Sequence, residues 1–247
     1  MRFLDMDCPS CALFLDFDGT LVDIAPQPDA VAVPARVPML LGALVRAFDG
    51  ALAVVSGRAI EQIDAFLAPL KLPAAGVHGT ERRNAAGALV LAPTFSLDRV
   101  WRAAEALAAR HPALRVEHKR GSIALHYRQA PDLEPICHAA MQEAVDGSPG
   151  LTLLAGKMVL EAKPGGASKG QAIAAFLREA PFRGRRPIFI GDDVTDEAGF
   201  STVQELGGVG VKIGPGASVA WERLPSPAAL LAELERAVAQ KVQGTTR

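Results

Sequence analysis

Cys11-Ala12-Leu13-Phe14-Leu15-Asp16-Phe17-Asp18-Gly19-Thr20-Leu21 is the stretch that decides the fold. Residues 11–17 form an apolar run that ends in acid, the pattern of a strand buried on both faces. Asp16 and Asp18 stand two residues apart at its carboxyl end, and on an extended chain both side chains point the same way. Gly19 permits a sharp turn directly behind them. Paired carboxylates repel each other unless a cation or a proton separates them. Open α/β sheets gather ligands at the carboxyl ends of their strands. The stretch therefore predicts a parallel sheet carrying an acidic site on its edge.

The pattern continues outward from this strand. Residues 37–48 are apolar at helical spacing, 51–55 read as a second buried strand, 59–67 as a helix and 76–78 as a strand end. Far along the chain, 168–180 read as a helix, 187–191 as a strand, 194–206 as a helix and 208–213 as a strand, before a closing amphipathic helix at 227–240. Strands alternating with helices over short loops give an α/β fold with a Rossmann-like, doubly wound parallel-sheet core. The middle reads differently. Ser96 looks like an N-cap for a helix at 97–110. Strands at 115–119 and 122–128 flank Arg120-Gly121, a helix follows at 132–145, and strands at 151–154 and 157–163 flank Ala155-Gly156. These elements form an inserted α+β domain, residues 93–164, within a core built from 1–92 and 165–247. Its junctions fall near Pro93 and Pro164-Gly165-Gly166, both rich in turn formers.

Composition narrows the function. The 26 Lys+Arg against 27 Asp+Glu leave a net charge of −1, so no charge excess draws the chain to nucleic acid or an anionic membrane. Aromatic residues are only 5%, which argues against a base-stacking surface. No apolar stretch approaches the ~20 residues that span a bilayer, and the first ten residues lack the basic-then-apolar layout of a secretory signal. Cytoplasmic localisation is the expectation. Cys8, Cys11 and Cys137 are too few for a disulfide framework, and Cys8-Pro9-Ser10-Cys11 precedes the first strand, where a redox pair would not sit.

Four chemistry-bearing segments occur in order. They are Asp16–Thr20, Ser56 in Val54-Val55-Ser56-Gly57-Arg58, Lys169 in Ser168-Lys169-Gly170, and the acids of Gly191-Asp192-Asp193-Val194-Thr195-Asp196-Glu197. A lysine in the first turn of a helix is unfavourable unless an anion lies nearby, so Lys169 asks for one. A run of four acids exceeds what capping a helix needs. Glu117 and Lys119 share a strand face, as do Lys157, Val159, Glu161 and Lys163. Such faces meet water or a ligand, and their carboxylates and amines suit sugar hydroxyls, which both donate and accept.

In these segments and their order the chain resembles the haloacid dehalogenase-like phosphohydrolases. Val77-His78-Gly79-Thr80-Glu81-Arg82-Arg83, Val116-Glu117-His118-Lys119, His126-Tyr127-Arg128 and Gly156–Pro164 narrow the resemblance to their trehalose-6-phosphate phosphatase family. The resemblance implies a cap over the active site and a Mg²⁺-dependent phosphatase. Asp16 is then the nucleophile that takes the phosphoryl group, and Asp18 the acid and base. Ser56 and Lys169 would hold the phosphoryl group, and Asp16, Asp18 through its carbonyl, Asp192, Asp193 and Asp196 would hold or support the metal. Substrate contacts would come from Asp16, Phe17, Asp18, Gly57, Arg58, His78, Glu117, Lys119, Lys157 and Glu161. The implied partner is a small sugar phosphate, with neither nucleic acid nor membrane. Rival readings are a capped phosphatase for sucrose phosphate or glucosyl-glycerate phosphate, a phosphoryl-transferring mutase, and a non-catalytic sugar-phosphate sensor.

Overall fold

A computed structural model describes residues 10–25, 27, 31–91, 95–119 and 121–244, with side chains to residue 240. The expectations that fall on Cys8, Pro93 and Arg120 lie outside the described residues. In chain order the elements begin β1 (Cys11–Leu15), α1 (Arg36–Ala47), β2 (Leu52–Val55), α2 (Ile60–Leu67), β3 (Ala74–Gly76), β4 (Glu81–Arg83) and β5 (Leu89–Leu91). Next come α3 (Asp98–Arg110), β6 (Arg115–Lys119), β7 (Ser122–His126), α4 (Glu134–Asp146), β8 (Leu151–Gly156) and β9 (Val159–Pro164). The chain closes with α5 (Lys169–Phe176), β10 (Arg186–Gly191), α6 (Glu197–Glu205), β11 (Val209–Ile213), β12 (Glu222–Leu224) and α7 (Pro227–Gly244). Two compact units emerge, Met1–Val90 with Ser168–Arg247, and Leu91–Ala167.

The first unit is built on a sheet ordered β12-β11-β10-β1-β2-β3-β4-β5. The strands from β12 to β3 are parallel, and β4 returns antiparallel to β3. β1 lies between β2, which follows it in sequence, and β10, which comes much later. That reversal of winding is the topological switch point expected of a doubly wound sheet. Period-two alternation distributes the core. Leu13 and Leu15, Leu52 and Val54, Ile188 and Ile190, and Val211 pack with Leu41 and Leu44 of α1, Ile63 of α2 and Leu230 and Leu234 of α7. Ala12 and Phe14, Ala53 and Val55, and Phe189 pack instead with Ile173 and Phe176 of α5 and Phe200 and Val203 of α6. Strands buried on both faces are what near-continuous apolar runs predict.

The second unit is an antiparallel sheet ordered β6-β7-β9-β8. One face, with Ile123, Leu125, Leu160 and Ala162, packs on Val100, Ala104 and Leu107 of α3 and Cys137 and Met141 of α4. An α/β core with an inserted α+β unit matches the fold class read from the sequence. Among the described residues no helix is long and apolar enough to cross a membrane.

Several local expectations shift. β4, β5 and β12 have three residues each, too few for a periodicity to register. The helix expected at 168–180 stops at Phe176, ahead of Ala180-Pro181, where the residue before proline resists helical angles. The last hairpin turns at Lys157-Met158 rather than Ala155-Gly156, because Gly156 pairs with Val159. Lys157 therefore lies in the turn and does not share the strand face with Glu161.

Candidate active site

The same alternation that sorts the core brings the first acid to its partner. Asp16 follows Ala12 and Phe14 in parity, so it belongs to the sheet face covered by α5 and α6. Its amide donates to Ile190 O at 2.9 Å, which continues the β1–β10 pairing past the end of the strand. α5 begins at Lys169, directly after Ser168, whose hydroxyl caps the helix by accepting from Gln171 N at 3.1 Å. The Lys169 ammonium donates to Asp16 Oδ1 at 2.8 Å and to Asp196 Oδ1 at 2.6 Å. All three groups are buried, Asp16 with 4% exposure, Lys169 with 2% and Asp196 with none.

Asp196 is fully committed to this framework. Its second oxygen, Oδ2, accepts from the amides of Asp192 at 3.0 Å and Asp193 at 2.9 Å. It thus folds the loop after β10 around itself and steadies Lys169. Asp193 caps the turn that follows, accepting from Val194 N at 2.7 Å. Asp192 is different: its Oδ1 is buried and has no hydrogen-bond partner. Gly19, at φ +77°, lets the turn after the acids pass against Asp192, where a Cβ would stand 2.1 Å from Oδ2.

Charge is concentrated here beyond what one lysine balances. Burial, then the neighbouring Asp196 and Asp192 charges, raise the Asp16 carboxyl well above the usual carboxylate range, although Lys169 opposes them. Burial, then Asp196, lift Asp192 to about 6. Burial works against the Lys169 charge, but Asp16 and Asp196 outweigh it, and the ammonium is held above its usual range. Carboxylate oxygens of Asp16, Asp192 and Asp196 lie within 4.8 Å of one another. An all-oxygen donor set of this kind, with one orphaned buried oxygen, fits a hard divalent cation such as Mg²⁺.

The two acids of the first motif meet different partners. The chain leaves the extended form after Asp16, and Phe17 O accepts from the amides of Leu21 and Val22 at 2.9 and 3.2 Å. Phe17 joins the opposite core. Asp18 turns to Arg58, which grips it with Nε to Oδ2 at 2.6 Å and a second nitrogen to Oδ1 at 2.7 Å. The guanidinium is steadied by the rings of Phe66 and Phe17, 4.9 and 5.8 Å from their centroids. Arg58, one of the expected substrate contacts, thus meets Asp18, another of them. Ser56 is buried behind β2, with its hydroxyl accepting from Arg58 N at 3.2 Å. The His78 ring rests on Gly57, where a Cβ would come within 2.5 Å of it. Val77 and His78 hold φ of +47° and +53°, uncommon for residues with a Cβ.

In the second unit, Glu117, Lys119, Ser122 and Glu161 occupy neighbouring strands. Glu161, 3% exposed, accepts from Lys119 Nζ at 3.0 Å and from Ser122 Oγ at 2.7 Å. Glu117 meets His126 Nε2 at 2.9 Å, and that hydrogen bond, ahead of the opposing effect of burial, lowers its carboxyl from the usual range.

The sequence profile of the trehalose-phosphatase family matches residues 14–224, which takes in both units. The chain belongs to that family. Trehalose-6-phosphate phosphatase of Escherichia coli (strain K12) is 46% identical over 215 residues, covering 86% of this chain and 81% of the relative. The probable trehalose-phosphate phosphatase of Sinorhizobium fredii is 45% identical, covering 92% of this chain and 87% of that protein. A solved trehalose-6-phosphate phosphatase related protein superposes with TM-score 0.80 at 28% identity, over 94% of this chain and 99% of the other. The C-terminal domain of the Candida albicans enzyme, 20% identical with TM-score 0.83, shares the fold over 93% of each chain.

Within this family member one residue beside the acids escaped the sequence reading, and another, farther along the chain from the first motif, has a structural contact. Lys212 of β11 is 6% exposed and donates to the Asp192 carbonyl. A lone lysine inside an apolar strand, Val209–Ile213, was the signal available for it. Glu81, which lies in a segment that carried the resemblance, accepts from Ile60 N at 2.6 Å and so caps α2.

Proposed function

We propose that this chain is a Mg²⁺-dependent phosphatase that hydrolyses trehalose 6-phosphate to trehalose and phosphate. The observation that carries the reading is the buried Asp16–Lys169–Asp196 constellation beside the orphaned Asp192 Oδ1, at the switch point of a trehalose-phosphatase family member. Asp16 and Asp192 would hold the ion, with the Asp18 carbonyl beside them and Asp193 and Asp196 as support. Bound there, Mg²⁺ supplies charge neutralisation for the carboxylates and the substrate phosphate.

The side chains divide the work. Lys169 pins Asp16 Oδ1, which leaves Oδ2 as the nucleophile. Asp16 Oδ2 bonds to phosphorus as the bond from phosphorus to the sugar oxygen breaks, and Asp18 gives that oxygen its proton. Water then attacks the phosphorus of the aspartyl phosphate and yields its proton to Asp18. Inorganic phosphate leaves, and Asp16 returns to carboxylate. For these transfers one of the two Arg58 contacts to Asp18 must give way. Ser56, Gly57 and Lys169 would bind phosphoryl oxygens. Glu117, Lys119 and Glu161, joined by Lys157 from its turn, would hydrogen-bond the sugar hydroxyls. Phe17, Arg58 and His78 would border the substrate.

The test is phosphate release from trehalose 6-phosphate against sucrose, glucose and glucosyl-glycerate phosphates, with Mg²⁺ and with EDTA. The expected result is preference for trehalose 6-phosphate, loss with EDTA and recovery with Mg²⁺. Asp16→Asn should lose about 10⁴-fold in kcat. Undiminished turnover by that variant would exclude the nucleophile, and equal turnover across the panel would exclude the sugar.

A further inference from the structure

Lys212 is a cation buried in a strand interior, where a charge is costly unless something holds it. On β11, Val209, Val211 and Ile213 face the α1 and α7 side of the sheet. Lys212 therefore faces the other side, the one that carries Asp16 and Lys169. It pairs in register with Gly191, the residue before Asp192. Among the described residues no carboxylate comes within ion-pair distance of its ammonium, and its hydrogen bond goes to the main-chain carbonyl of Asp192. Asp196 Oδ2 holds the amide of the same residue at 3.0 Å. The backbone of Asp192 is thus gripped on both sides, by a carboxylate at its N–H and an ammonium at its C=O. Side-chain Oδ1 of Asp192 is buried without a hydrogen-bond partner, and a carboxylate oxygen of Asp192 lies within 4.8 Å of one of Asp16.

We infer that Lys212 is a positioning residue for the cation site: it fixes the main chain of Asp192 so that the carboxylate is aimed before Mg²⁺ arrives. This rests on the metal reading given above. A ligand set in advance binds with less ordering cost, and removing the groups that orient a metal ligand weakens affinity about 10–100-fold. Simple electrostatics has the opposite sign. An ammonium near three carboxylates repels a divalent cation, so a lysine that acted through charge alone would weaken Mg²⁺ binding, and its removal would tighten it.

The two signs make the experiment decisive. Mg²⁺ binding to the full chain is measured by titration calorimetry for the unaltered protein, Lys212→Met and Lys212→Arg. Lys212→Met should bind about 10-fold more weakly, while Lys212→Arg, which keeps a charged donor, should recover most of the loss. Turnover of Lys212→Met should need correspondingly more Mg²⁺ to half-saturate, with kcat at saturation close to that of the unaltered chain. Equal or tighter binding by Lys212→Met would overturn the inference while leaving the metal reading intact. Absence of Mg²⁺ binding in the unaltered protein would overturn both. If Lys212→Met does not fold, Lys212→Gln, too short to reach the carbonyl in the same way, is read by the same criterion.

Discussion

Asp192 is a carboxyl whose burial makes its ionisation costly to the fold. Burial first, and the Asp196 charge next, raise it to about 6 from an ordinary value of 3.8. In the metal-free protein the folded chain therefore holds a proton that the unfolded chain has released over that interval. The contribution of this group to stability is fully present below pH 4 and is lost as pH rises through about 6. At pH 7 an ionised Asp192 faces Asp16 and Asp196 with Lys169 as the cation shared by the latter two. Asp192→Asn should accordingly raise the unfolding midpoint in EDTA at pH 7 by roughly 2–6 °C, and the gain should shrink toward pH 4. Mg²⁺ should raise the midpoint of the unaltered chain and leave that of Asp192→Asn nearly unmoved. Thermal melts followed by circular dichroism across this range check the sign. A lower midpoint for Asp192→Asn at pH 7 would show that its carboxylate is no burden to the empty fold.

At the scale of elements, α2 depends on a residue outside itself. Its N-cap position is Ala59, which has no side-chain acceptor. The first orphan amide, Ile60 N, is taken by Glu81 Oε1 from β4 at 2.6 Å. Glu81→Ala would leave that buried amide unsatisfied, at about 2 kcal/mol, and lower the unfolding midpoint by roughly 4–8 °C. An unchanged midpoint would mean that solvent caps the helix equally well. Glu81 also marks where reading a sequence stops. The parallel strands and long helices were legible because their apolar periodicity is local, and so were Asp16, Lys169, Asp192 and Asp196, which stand where strands end and helices begin. What a side chain does after the chain folds was less so. Asp18 and Arg58 are 40 positions apart and meet only in three dimensions. Lys212 reads as a lone charge in a strand until β10 lies beside it. Lys157 reads as a strand residue but lies in a turn, because a hairpin register that differs by two residues looks equally sound from alternation alone.

At the scale of the whole molecule, the reading proposed above puts chemistry and recognition on separate stretches of the sequence. The buried acids and Lys169 all belong to the first unit, while Glu117, Lys119 and Glu161 belong to the insertion between residues 91 and 167. A phosphoryl group looks the same on any monoester, so selectivity has to come from groups that read the alcohol. Glu161 is the informative one to alter, because it is nearly inaccessible and ties Lys119 and Ser122 together. Glu161→Gln keeps size and a hydrogen-bonding oxygen but removes the charge that organises Lys119. With trehalose 6-phosphate, kcat/KM should fall about 10–100-fold, the worth of a charged hydrogen bond, mainly through KM. With 4-nitrophenyl phosphate, whose leaving group carries no hydroxyls and departs without a proton, kcat/KM should stay within about 2-fold. The comparison separates recognition from structural damage, since a weakened second unit that disturbed the first would lower both substrates together. A parallel loss on the aryl phosphate would assign Glu161 to the fold and return the sugar contacts to other side chains.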